Sequence, residues 1–143
     1  MKESGCRVSL AAYFRSQGFE VEPEASHGWD VVARSDDATW LIEVKGGDYK
    51  NSASYGVDFH TAVGQVASRV TKLSHDVRHA IAIPYPDVTR PTQFSYRSVL
   101  RGYSSSLFWE RMRVWLILVK EDSNPEFYPV SYTHLTLPTN REV

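Results

Sequence analysis

A chain of 143 residues, 42% hydrophobic and 23% charged, has room for one domain around a single core and the composition of an ordinary globular protein. Its net charge of −1 and pI of about 6.5 argue against a strongly basic, non-specific nucleic-acid binder, while leaving open an enzyme that engages nucleic acid through a local patch and metal ions. No apolar run approaches the roughly 20 residues of a bilayer span, no signal-peptide core opens the chain, and a single cysteine, Cys6, cannot form an internal disulfide, so a reducing cytoplasm is the compartment that fits.

Residues 3–17 read as a helix, with Val8, Ala11, Ala12 and Phe14 as its apolar stripe and Gly18 as its stop. "FEVE" alternates with period two, Phe19 and Val21 inward, Glu20 and Glu22 outward, until Pro23 ends it. "WDVVARS" and "TWLIEVK" are two strands joined by a short polar turn at Asp36 and Asp37. The Gly-, Ser- and Asn-rich run from Gly46 to Gly56 reads as a loop. A helix follows, in which Phe59, Ala62, Val63, Val66, Ala67, Val70 and Leu73 recur at helical spacing. Asp58 stands where its N-cap should be, and Thr61, Gln65, Arg69 and Lys72 form its opposite face. "HAIAIPY" is a short buried strand. Residues 90–112 are aromatic, basic and helical in part, and "VWLILVK" (114–120) is apolar enough for a strand covered on both faces. The order predicts an α/β protein with an αβββαβ core and a mixed central sheet flanked by helices.

The closing run "VSYTHLTLPTNREV" has no partner in this pattern. Val130 through Thr139 resemble one reading frame of a transposase-type sequencing adapter, so residues 129–143, His134 included, are set aside as a non-native tail. The domain is then residues 1–128, with its natural C-terminus expected to be missing.

The hairpin carries the chemistry. A turn centred between Asp36 and Asp37 sets Asp30 opposite Glu43 and Gly28 opposite Lys45. Paired residues share a face, and Lys45 is two positions from Glu43. Two carboxylates and an ammonium converge, the absent side chain at Gly28 leaves room beside the lysine, and Gly46 and Gly47 let the chain turn sharply out of the strand. A carboxylate pair suits Mg²⁺, which takes oxygen ligands and keeps several waters. Such an ion polarises a phosphodiester and acidifies a bound water. A neighbouring lysine can orient or deprotonate that water and offset developing charge. The plainer alternative is a solvated sheet face with cross-strand ion pairs.

Asp30 in "GWDVV" and Glu43-Val44-Lys45 in "IEVKGG", set in this element order, resemble the PD-(D/E)xK nuclease superfamily over about residues 3–120. "GFEVE" ahead of them looks most like its resolvase-like and Mrr-like branches. Trp29 departs from the pattern, standing where the family has proline. The resemblance implies a restriction-endonuclease-like fold and a Mg²⁺-dependent hydrolase of nucleic-acid phosphodiester bonds, with Mn²⁺ able to substitute. It points foremost to a DNA endonuclease of repair, recombination or restriction. It implies Asp30 and Glu43 as metal ligands, Glu3 as the acid the family often adds from the first helix, and Lys45 as the group that positions or activates the attacking water. Gln65 would be the polar residue facing the site from the following helix. DNA would be the partner, and members that cut two strands often form homodimers. Lys50, Arg69, Lys72, Arg97 and Arg101 are the residues expected at nucleic acid. Around the last two, arginines interleave with Tyr96, Tyr103, Phe108 and Trp109, a pattern that serves phosphate contact and base stacking as well as an ordinary amphipathic helix. The alternative function is a non-catalytic DNA- or protein-binding module of the same fold. Cys6 without a base partner is read as a packing residue, and His75 and His79, at i, i+4 spacing without a third ligand, as structural or solvated.

Overall fold

The computed structural model describes residues 1–22, 28–89 and 95–129. The adapter-like run from 130 onward, with Pro23 and Arg90, lies outside the described residues. The elements run α1 (Glu3–Ser16), β1 (Glu20–Val21), β2 (Val31–Arg34), β3 (Thr39–Val44), α2 (Ser52–Arg69), β4 (Val77–Pro84), α3 (Pro86–Thr89), α4 (Arg97–Tyr103), α5 (Leu107–Arg111), β5 (Val114–Val119) and β6 (Glu126–Tyr128). The strands form one mixed sheet in chain order. β1, β2 and β3 pair antiparallel, β3, β4 and β5 parallel, and β6 returns antiparallel along β5. The αβββαβ order is as expected. No helix among the described residues is long and apolar enough to cross a membrane.

The period of two along each strand divides the core in two. Trp40, Ile42 and Val44 of β3 join Val31, Ala33, Ala80, Ala82, Ile117 and Val119 beneath Cys6, Leu10 and Phe14 of α1. The opposite face carries Val32, Ile81, Ile83, Leu116 and Leu118 under Tyr55, Phe59, Ala62 and Val66 of α2 and under Tyr96, Leu100 and Trp109 of the short helices. β4 and β5 are therefore covered on both sides, which is why they read as nearly continuous apolar runs.

Several boundaries and faces differ from the sequence reading. The buried stripe of α1 is Cys6, Leu10 and Phe14, while Val8 is 71% exposed. Four-residue spacing sets the inward face, and Val8 falls off it. α2 starts inside the run read as a loop. Asn51 is its N-cap and accepts the Ser54 N–H at 2.9 Å, so Asp58 lies within the helix and accepts the Tyr49 hydroxyl. Burial of Tyr55 and Phe59 outweighs the weak helix propensity of a Ser- and Gly-rich turn. The helix ends at Arg69, which leaves Lys72 and Leu73 beyond it. His79 lies buried in β4 opposite Leu41, so it makes no helical pair with His75. β6 was not anticipated. It brings the Phe127 ring to 5.4 Å from Trp40 and 6.1 Å from Phe14.

Gly46 and Gly47 serve a purpose other than the expected sharp turn. Neither has a positive φ; the left-handed residue is Asp48, at φ 63°. What both need is space. A Cβ on Gly46 would run into the backbone of Lys2 and Glu3, and one on Gly47 into the carboxylate of Asp87. Asp87 is fully buried and accepts the Asp48 N–H at 2.7 Å and the Tyr55 hydroxyl. Tyr96 donates its hydroxyl to the Gly46 carbonyl, and the Gly47 N–H donates to the Met1 carbonyl at 2.8 Å. The exit of β3 is thus clamped between the start of α1 and the start of α3.

This clamp predicts a contrast among glycines. Gly47→Ala should cost about 1–3 kcal/mol in urea unfolding through overpacking. Gly64→Ala, in open space on α2, should instead gain roughly 0.5–1 kcal/mol. Equal midpoints for the two variants would contradict the close approach at Gly47.

Candidate active site

The hairpin register is the expected one. Val31 faces Ile42 and Arg34 faces Thr39, and the Ser35 N–H to Ala38 carbonyl bond at 2.8 Å closes the turn over Asp36 and Asp37. Asp30 stands one residue ahead of β2 and continues the ladder by donating its N–H to the Ile42 carbonyl at 3.0 Å. Its carboxylate turns to the end of the sheet. Oδ2 accepts the Val44 N–H at 2.8 Å, and Oδ1 accepts Nη2 of Arg7 at 2.7 Å.

Glu43 projects from β3 toward α2 and is only 3% exposed. Its Oε2 takes Nη1 of Arg69 at 2.7 Å, and its Oε1 lies 3.5 Å from Nζ of Lys45. The Lys45 side chain is 12% exposed, and its backbone N–H donates to the Ala82 carbonyl at 2.9 Å, which carries the parallel ladder one residue past β3. Asp30, Glu43 and Lys45 therefore gather at the carboxyl end of a parallel strand pair, where open α/β sheets place their ligands.

Around this group the structure departs from expectation. The space left by Gly28 is filled by Arg69 rather than Lys45. A Cβ there would sit 3.3 Å from Nε of Arg69, and Gly28 has φ +85°. Arg69 also lies over the Trp29 ring, 5.6 Å from its centroid, and Trp29 in turn neighbours the His79 ring at 5.7 Å. Gln65 precedes Arg69 by one turn on α2, half-buried, and its buried Oε1 has no hydrogen-bond partner among the described residues. Glu3 reaches the group only through Arg7, which it holds at 2.6 Å. Among the described residues no cluster of three or more His, Cys, Asp or Glu is arranged to hold a metal. Lys50 lies exposed after β3, Lys72 exposed after α2, and Arg97 half-buried and Arg101 exposed on α4. Cys6 is a core thiol whose pKa is pushed up to about 11 by burial, as its structural reading requires.

Burial, and then the charge and hydrogen bond of Asp30, push the Glu43 carboxyl up from 4.5 to about 7, against the opposing pull of Arg69 and Lys45. A divalent cation would relieve two crowded carboxylates, one of them titrating near neutrality. Hard carboxylate oxygens of this kind fit Mg²⁺, which keeps most of its shell as water. Arg7 is the residue that sequence reasoning missed. Its Glu3 partner at i, i+4 was legible on the helix, but its reach to Asp30 depends on where α1 docks.

Comparison with solved structures places the fold. A crystal structure of an fdxN element excision controlling factor protein from Anabaena variabilis matches with a TM-score of 0.50 at 16% identity, covering 81% of this chain and 92% of that one. An XisH family protein from Nostoc punctiforme gives a TM-score of 0.49 at 14% identity, over 80% and 91% of the two chains. No protein-family model and no curated protein matches the sequence. At this identity the first likeness is one of fold.

The raised Glu43 pKa has a definite sign for stability. Folded Glu43 keeps a proton that the unfolded chain gives up near 4.5, so stability without divalent metal should fall as pH rises from 4.5 to about 7. Melting temperatures recorded in chelator should show this slope, and Glu43→Gln should flatten it. An unchanged slope in the variant would remove Glu43 as its source.

Proposed function

We propose that this chain is a metal-dependent nuclease domain that hydrolyses phosphodiester bonds, foremost in DNA, with Mg²⁺ as its cation and Mn²⁺ able to substitute. The observation that carries the reading is the meeting of Asp30, Glu43 and Lys45 at one end of β3, with Glu43 buried, crowded and titrating near neutrality. The fold it shares with a factor named for controlling fdxN element excision is in keeping with it.

When bound, the cation would polarise the phosphoryl oxygen and lower the pKa of a coordinated water. Asp30 and Glu43 would hold it. Asp30 is aimed by the Val44 N–H, a donor fixed in the sheet, and Glu43 by Arg69, itself wedged between Trp29 and Gly28. Lys45, its ammonium beside Glu43, would orient the attacking water and offset charge growing on the phosphate. Gln65, one turn before Arg69 on α2 and with its Oε1 unpartnered among the described residues, would be the supporting polar residue. Lys50, Lys72, Arg97 and Arg101 are candidates for contact with the nucleic-acid backbone beyond the site. One observation favours a second reading. Both carboxylates already have arginine partners, as a non-catalytic DNA- or protein-binding module of this fold would allow.

Nicking of supercoiled plasmid in Mn²⁺ separates the two. The wild type should nick, and Lys45→Ala should lose on the order of 100-fold or more in rate while still folding. Plasmid left intact by the wild type in both Mg²⁺ and Mn²⁺, from neutral to alkaline pH, would decide for the module.

A further inference from the structure

Arg7 has an unusual position for an exposed helix residue. Its single nitrogen Nη2 lies 2.6 Å from Oε2 of Glu3 and 2.7 Å from Oδ1 of Asp30. It joins the acid of α1 to the acid ahead of β2 at a place where the two would otherwise face each other. The same side chain lines an open groove of about 650 Å³ with Ser4, Ala11, Arg15, Gly28 and Asp30.

The two arginines of the site differ in how firmly they are held. Arg69 is 28% exposed, stacked over Trp29 and packed against Gly28, and its guanidinium ends on a buried carboxylate. Arg7 is 45% exposed, and the contacts that hold its guanidinium among the described residues are with the two acids, Glu3 and Asp30. Asp30 differs between its oxygens in the same way. Oδ2 is committed to a sheet N–H that cannot move, so Oδ1, in front of Arg7, is the oxygen with freedom to exchange partners.

We infer that Arg7 is a displaceable internal counter-ion. It neutralises Asp30 and Glu3 in the metal-free protein, yields Oδ1 of Asp30 to a divalent cation, and is then free to meet a phosphate in the groove. This rests on the metal-dependent reading above and adds a positioning residue to it. Arg7 acts through the acids it holds, and its presence sets the metal affinity of the site. Loss of a merely structural residue would loosen cation binding. Loss of a competitor tightens it.

Calorimetric titration of Mn²⁺ alone into the full chain at pH 8 reads that sign. Arg7→Gln should bind about three- to fivefold more tightly than the wild type, the scale of a partly exposed ion pair. Arg7→Lys, which keeps the charge but loses the planar fork, should fall between them. In chelator Arg7→Gln should melt below the wild type, and saturating Mn²⁺ should close that gap. Wild-type binding with equal or weaker affinity in Arg7→Gln would overturn the role of Arg7 and leave the metal site standing. No Mn²⁺ uptake by either protein would overturn both.

Discussion

A carboxylate on the covered face of a sheet costs free energy unless cations and hydrogen bonds offset its lost hydration. Glu43 is that carboxylate, and much of what surrounds it meets this cost. Arg69 comes from the last turn of α2 to bind it, Trp29 gives Arg69 a ring to lie on, and Gly28 lacks the Cβ that would push Arg69 away. Lys45 adds a second cation from the same strand. The compensation is incomplete: burial first, and then the like charge of Asp30, leave the carboxyl titrating near neutrality. A group in that state exchanges its proton near neutral pH.

The geometry depends equally on the exit of β3. α1 presses its first backbone atoms onto Gly46, and Asp87 fills the space over Gly47. These close approaches fix the register between the helix and the sheet end, and they bring Glu3 and Arg7 within reach of Asp30. Tyr55 and Tyr96 donate their hydroxyls into the same junction from the other face of the sheet. The acids therefore stand where closely packed backbones meet.

The hairpin was the most legible part of this sequence. A two-residue turn at Asp36 and Asp37 leaves one pairing, and that pairing alone brings Asp30 toward Glu43. Parallel, doubly covered strands announced themselves as apolar runs. Less was legible where tertiary packing overrides local preference. Asn51, Ser52 and Ser54 look like loop residues, yet they open α2 because Tyr55 and Phe59 are buried behind them. The double glycine looked like a turn because composition cannot show what presses against a missing side chain. Arg7 and Asp87 were invisible for a related reason, since each draws its meaning from residues more than twenty positions away. Trp29 showed only as a departure from a family pattern, while in the fold it is the ring that seats Arg69.

The near-neutral charge of the chain takes on a different sense once the site is built. Polyanion binding by a basic surface works at a distance and weakens as salt rises. Here the cations of the site, Arg7, Lys45 and Arg69, each stand on an acid, and the chain as a whole carries no excess of positive charge. A chain built this way gains little from long-range attraction and depends on events within the site. Under the proposed nuclease reading, a divalent ion that took over the carboxylates would release positive charge already in place at the site. Arg69, seated on Trp29, would stay with Glu43, whereas Arg7, more exposed at the edge of the groove, would be the one to change partners. That difference in packing, set by one tryptophan and one glycine, is what would give the two arginines separate tasks.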